Sequence, residues 1–225
     1  MFVGHFAVGF AAKRYAPRTS LAVLLAASLL SDLLWPIFLL LGWEVVRIDP
    51  NGMKLAAFDF VSYPWSHSLL VCLAWATLFA AIYYSITGYS KGTVAVALGV
   101  LSHWVLDWIT HKPDMPLYPG SKTFGLGLWN LVNTTVIIEL SMFAVGVVFY
   151  LSATRPLNRV GRYAFWAYVA ALLLSYLQSS FSGKPPHNVT TEVAWPGLIL
   201  GALMILWAWW FDRNRVSQQS EESQS

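Results

Sequence analysis

Residues 92–111 read GTVAVALGVLSHWVLDWITH. From Gly92 to Thr110, one carboxylate (Asp107) and one imidazole (His103) interrupt a run with no other ionisable group. A helix over those positions, rising about 1.5 Å per residue, is roughly 28 Å long and matches a bilayer's hydrocarbon core. His103, Asp107 and His111 recur every fourth residue. On a helix that spacing makes one stripe, with Trp104 and Trp108 facing elsewhere. The stretch therefore reads as a membrane span carrying a polar stripe.

Working outward, five more segments are long and apolar enough to span: Thr19–Trp43, Trp65–Thr87, Leu126–Leu151, Tyr163–Phe181 and Ala194–Phe211. The whole chain agrees: 57% of its 225 residues are hydrophobic and 11% charged. Soluble domains carry roughly 25% charge, so this composition excludes an ordinary soluble enzyme and a disordered chain. Cys72 is the only cysteine, which excludes a disulfide scaffold. The expected fold class is all-α, a polytopic membrane helical bundle of about six transmembrane helices plus an N-terminal re-entrant or interfacial helix. One integral membrane domain is expected over residues 1–216, with a disordered polar tail over 217–225.

The net charge is +3. In a membrane protein the basic residues orient the chain, and no nucleic-acid partner is expected. Lys13, Arg14, Arg18, Lys91, Arg155, Arg159, Arg162, Arg213 and Arg215 fall in one set of loops. Arg47, Lys54, Lys112, Lys122 and Lys184 fall in the other. The excess places both termini in the cytoplasm. Phe2–Ala12 is apolar and precedes Lys13 and Arg14, the reverse of a signal peptide. Phe2–Ala16 is too short to span and is cut off by Pro17. It lies flat at the interface or dips into the bundle as a half-helix.

Ionisable groups inside spans are costly, and each marks a candidate site. Here they are Asp32, His67, His103, Asp107 and Glu139, all in the first four spans. Measured from the charge-rich end, Asp32 and His103 stand roughly 17–21 Å up, and Asp107 about 22 Å. His67 and His111 stand roughly 28–30 Å up, and a re-entrant helix brings His5 near 18 Å. Imidazole nitrogen and carboxylate oxygen at similar depth suit a divalent metal ion, with zinc first for a His-rich set. The competing reading is a hydrogen-bonded pair joining helices. Glu139, near the midplane, is open between supporting a ligand, relaying protons and bonding Thr134 or Thr135. There is no G-x-S-x-G elbow, H-E-x-x-H motif or phosphate loop.

The motifs resemble those of the YdjM-like family, described as membrane-bound metal-dependent hydrolases. Ser102-His103-x-x-x-Asp107 matches the family's Ser-His-x-x-x-Asp element. Gly4-His5 is similar to its Thr-His, Ser31-Asp32 to its Pro-Asp-x-Asp, Ser66-His67-Ser68 to the end of its His-Arg-Gly-x-Thr-His-Ser, and Tyr118-Pro119 to its Trp-Pro. Leu34 replaces the second aspartate, and Val61–Trp65 lacks the opening histidine. The resemblance covers about the first 130 residues. It implies a metal site of His5, Asp32, His67, His103 and Asp107. It also decides for a re-entrant N-terminal helix, because His5 must reach Asp32. Asp114 and His111 are then candidates for general base or substitute ligands. The implied function is hydrolysis by metal-activated water in the outer half of a bacterial inner membrane, on a lipid or lipid-linked phosphoester. Alternatives are a proton or metal-ion transporter using the same cluster, a haem bundle and a purely structural membrane protein. Oligomeric state is open.

The charge count generates a topology test. In a variant whose only cysteine is Gly120→Cys, with Cys72 replaced by alanine, an impermeant thiol reagent added outside should label position 120. Labelling only from the cytoplasmic side would invert the orientation.

Overall fold

A computed structural model describes residues 1–53, 55–182 and 185–218 of the chain. It is an all-α membrane bundle. Helices α1 (Val3–Tyr15), α2 (Leu21–Ser28) and α3 (Leu30–Leu40) come first. A short turn α4 (Pro64–His67) then leads into α5 (Leu69–Thr87), and α6 (Ser90–Thr110), α7 (Val132–Ala153), α8 (Arg159–Ser182) and α9 (Trp195–Asp212) complete it. Five helices are long and apolar enough to cross a bilayer, six if α2 and α3 count as one span. Lys54, Lys184 and the polar tail from residue 219 lie outside the described residues.

The expected single span Thr19–Trp43 is broken. Its two halves meet at Leu29 with a bend of 60°. Ser20 starts α2, its hydroxyl accepting the Val23 N–H at 3.3 Å. Pro36 then lies inside α3 and has no N–H to donate to the Asp32 carbonyl one turn earlier. The segment expected over Trp65–Thr87 is also broken. Ser68, with extended backbone, separates α4 from α5. His67 therefore sits on its own turn rather than on a straight span, so the straight-helix height given above does not apply to it.

The N-terminal helix packs inside the bundle, as expected of a half-helix that dips inward. Val3, His5, Phe6 and Phe10 of α1 are buried. Phe10 packs edge-on against Phe143, Phe165 and Tyr168 of α7 and α8. Gly146 of α7 lets α1 approach closely: a Cβ there would lie 2.6 Å from the Ala7 carbonyl oxygen.

Two features were not foreseen. The segment between α3 and α4 is an antiparallel hairpin, β1 (Val45–Met53) with β2 (Ala56–Ser62). Two further two-stranded pairs are short: β3 (Met115–Pro116) with β4 (Thr123–Phe124), and β5 (Thr154–Pro156) with β6 (Arg215–Ser217). The last pair ties the ends of α7 and α9 together. Lys13, counted above as a loop charge, is buried beside it. Its ammonium donates to Asp212 Oδ2 and to the Thr19 carbonyl, both at 2.9 Å. Asp212 also accepts from the Leu21 N–H at 2.9 Å and the Tyr150 hydroxyl at 2.7 Å. Arg14, Arg18, Arg213 and Arg215 stack on Phe149, Tyr89, Trp209 and Tyr150 at this same end.

Removing one partner of a buried ion pair leaves an uncompensated charge and costs about 3–5 kcal/mol. Asp212→Ala should therefore lower thermal stability in detergent sharply. The double variant Lys13→Met/Asp212→Leu should recover most of the loss, because no lone charge remains buried.

Candidate metal centre

The two chain breaks and the N-terminal helix deliver ligand-type side chains to one place. α1 brings His5, the start of α3 brings Asp32, α4 brings His67, and α6 brings His103 and Asp107. His5, His103 and Asp107 form one group whose ligand atoms lie within 4.8 Å of one another, and Asp32, His67 and His103 form a second. All five residues expected at the site meet here, although they come from four separate helices.

Hydrogen bonds decide which nitrogens are free. His103 Nδ1 lies 2.9 Å from the Ser28 carbonyl at the break between α2 and α3. A carbonyl only accepts, so Nδ1 carries a proton, and Nε2 is the ring atom turned into the cluster. Nε2 is 3.0 Å from Asp107 Oδ2 and 3.6 Å from Asp32 Oδ1, yet has no hydrogen-bond partner among the described residues. His67 is arranged in the same way. Its Nδ1 is 2.6 Å from Ser66 Oγ, and that hydroxyl donates to Glu44 Oε2 at 2.7 Å. The Ser66 N–H donates to Glu44 Oε1 at 2.8 Å. His67 Nε2 then faces Asp32 Oδ1 and Asp107 Oδ2, each at 3.7 Å, too far for a hydrogen bond.

Two imidazole nitrogens face two carboxylates here, a donor set of the kind that holds a divalent cation. Tetrahedral zinc with bonds of about 2.0–2.2 Å separates its ligand atoms by roughly 3.3–3.6 Å. The observed 3.0–3.7 Å brackets that spacing. The residues present fit a divalent ion, and the His/Asp cluster could hold one.

The surroundings are also organised. His5 Nε2 is 3.1 Å from Asp107 Oδ1, and its ring stacks on His103 at 3.8 Å. The Met1 amine also contacts Asp107 Oδ1. Glu139, left open by the sequence, caps α1: its Oε2 accepts the N–H of Phe2 at 2.8 Å and of Gly4 at 3.2 Å. It acts on the site by seating the helix that carries His5. Neither Thr134 nor Thr135 bonds it: Thr135 donates instead to the Leu128 and Leu131 carbonyls.

A cavity of about 190 Å³ opens beside the cluster, lined by Asp32, His67, Asp107 and His111 and roofed by Phe58 and Phe60 of the β1–β2 hairpin. His111 and Asp114 fall outside both ligand groups. They pair with each other instead, His111 Nδ1 to Asp114 Oδ1 at 3.1 Å, and the Tyr63 hydroxyl donates to the same oxygen at 2.8 Å. Burial and the neighbouring Asp114 hold the Tyr63 phenol well above its usual range, so it stays a donor. Burial likewise raises the Glu44 carboxyl, and its bonds to Ser66 oppose that shift.

A model of the YdjM inner membrane protein family matches residues 1–182. The chain belongs to that family. The match extends past the motifs read above to the end of α8 and includes every residue of the cluster, with α9 beyond it. No curated protein and no solved structure matches the chain. The family description and the apolar helices together put the YdjM-family chain in a lipid bilayer.

Glu44, Ser66, the Ser28 carbonyl and Glu139 are the site residues that sequence reasoning missed or left open. Ser66 carried a local signal as the neighbour of His67, and Glu139 as a carboxylate inside a span. His103 belongs to both ligand groups, and Asp107 lies 3.0–3.7 Å from His5, His67 and His103. Asp107→Asn, which keeps volume and removes the charge, should abolish stoichiometric metal in elemental analysis of purified protein. Glu44→Gln should keep the ion but weaken its retention about 10–100-fold, the range for partners that orient a ligand.

Proposed function

We propose that this protein is a membrane-bound metal-dependent hydrolase. His5, Asp32, His67, His103 and Asp107 hold one or two divalent ions, zinc being the best fit to the donor set. The observation that carries the reading is His103 Nε2, buried, without a hydrogen-bond partner among the described residues and held 3.0 and 3.6 Å from Asp107 and Asp32. A divalent ion there supplies Lewis acidity and lowers the pKa of water.

The chain's own residues account for the remaining chemistry. His111 lines the cavity beside the cluster, and Asp114 orients its ring, as a carboxylate orients an imidazole base. Phe60 and Trp129 pack on that ring at 4.9 and 4.5 Å and hold it in place. The scissile group is an ester, most simply a phosphoester. Water oxygen bonds to phosphorus, the bond to the leaving alcohol breaks, and His111 takes the water proton and delivers it to the alcohol. The charge-rich end, where Lys13, Arg14, Arg18 and Arg213 gather, is assigned to the cytoplasm by the Lys/Arg count, so the cavity opens toward the outer half of the membrane; Met1, expected at that end too, lies instead at the cluster beside Asp107.

Transport of protons or metal ions through the same cluster is the second reading. The break at Leu29 favours it, because broken spans beside ion sites are a feature of carriers. Proteoliposomes separate the two: a carrier moves the ion down its gradient, whereas the hydrolase consumes ester without ion flux.

His111→Ala should reduce kcat for ester hydrolysis about 10²–10⁴-fold, the usual contribution of a general base, while metal content stays at the wild-type level. Equal loss of metal would make His111 a ligand instead.

A further inference from the structure

A second cavity, of about 340 Å³, lies between α1, α3, α8 and α9. Its walls are apolar, with Phe6, Leu33, Pro36, Leu172 and Met204 among them. That volume falls within the roughly 300–1,000 Å³ of small-ligand sites. One residue of opposite character closes it: Asp32, whose side chain is 45% exposed. Asp32 and Trp35 also line the polar cavity at the cluster. The two spaces therefore share Asp32 and Trp35, the first with no other charged residue in its wall and the second bounded also by His67, Asp107 and His111.

The outer mouth opens toward lipid. Leu200 lines the crevice and is 55% exposed on the surface of α9. Gly197 keeps the slot open. Glycines spaced four apart commonly let two helices close into a seam, as Gly146 does against α1. The pair Gly197 and Gly201 divides the two tasks: at Gly201 a Cβ would lie 2.7 Å from Leu33 Cδ2 of α3, whereas at Gly197 it would meet nothing closer than Pro36 at 3.8 Å.

We propose that this crevice receives the alkyl chain of the substrate. The substrate is then a long-chain amphiphile with a phosphate-type head, entering sideways from the bilayer between α3 and α9. Its chain lies along Leu33, Pro36 and Gly197, and its head reaches Asp32 and the metal cluster. A water-soluble ester would leave the apolar half of this paired space unused, and a wholly apolar lipid would leave the cluster unused. The anionic head complements a cation held by the five ligands, so this part rests on the hydrolase reading above. Chain binding in the crevice is read separately from turnover.

The test uses full-length protein in nanodiscs and hexadecyl phosphate carrying a diazirine near the middle of its chain. After irradiation, mass spectrometry should find the label on α9 around Leu200–Met204 and on α3 around Leu33–Pro36. Gly197→Phe should cut that labelling at least tenfold, with thermal stability and metal content as in wild type. Gly197→Ala, whose methyl makes only ordinary contact, should leave it unchanged. Label spread evenly over lipid-facing residues of α5 and α7 in wild type would overturn the proposal, and this reading needs no variant to fold. Undiminished α9 labelling in folded Gly197→Phe would overturn it too. Specific labelling without any ester hydrolysis would support the crevice while removing the hydrolase reading.

Discussion

A carboxylate buried in a membrane bundle must be compensated, and Asp107 sets that demand on the fold. Its side chain is almost wholly enclosed. An isolated charge in such a medium is prohibitively costly, so its neighbours are constrained to be cations, donors or metal-sharing ligands. His103 arrives on the same helix, one turn earlier. His5 and His67 have to come from elsewhere, and the irregular parts of the fold are the parts that bring them. α1 dips into the bundle instead of crossing it, and α4 folds away from α5. The break between α2 and α3 presents both Asp32 and the Ser28 carbonyl.

These devices act together. The Ser28 carbonyl fixes the His103 proton on Nδ1, and Glu44 through Ser66 fixes that of His67. Each ring is left with Nε2 facing the carboxylates. Partners of this kind commonly orient metal-ligating histidines. Glu139 performs a related task for the backbone, capping the half-helix whose first turn holds His5. At the far end of the bundle, Lys13, Asp212 and Tyr150 lock α1 to α7 and α9. The depth at which α1 stops is therefore held from both ends.

Much of this was legible in the sequence. Apolar runs identify the spans because a bilayer demands about 20 such residues in a row. The His103–Asp107 stripe follows from helical periodicity, and the five ligand-type residues were identified as one set. The break at Leu29 was not legible, since no glycine or proline stands there and the run is evenly apolar. The break at Ser68 was not legible either, so His67 was read as part of a straight span. The β1–β2 hairpin reads as loop because Pro50, Asn51 and Gly52 interrupt it. Glu44 meets Ser66 only through the tertiary fold, and Lys13 reads as a surface charge until Asp212 is brought beside it.

The account depends most directly on whether the cluster binds a metal through these imidazoles. X-ray absorption at the metal edge of wild-type protein, purified without chelators, addresses that question. The account predicts a stoichiometric ion with imidazole scattering and nitrogen or oxygen ligands at about 2.0–2.2 Å. A protein with no bound metal, or an ion whose spectrum lacks imidazole scattering, would contradict it.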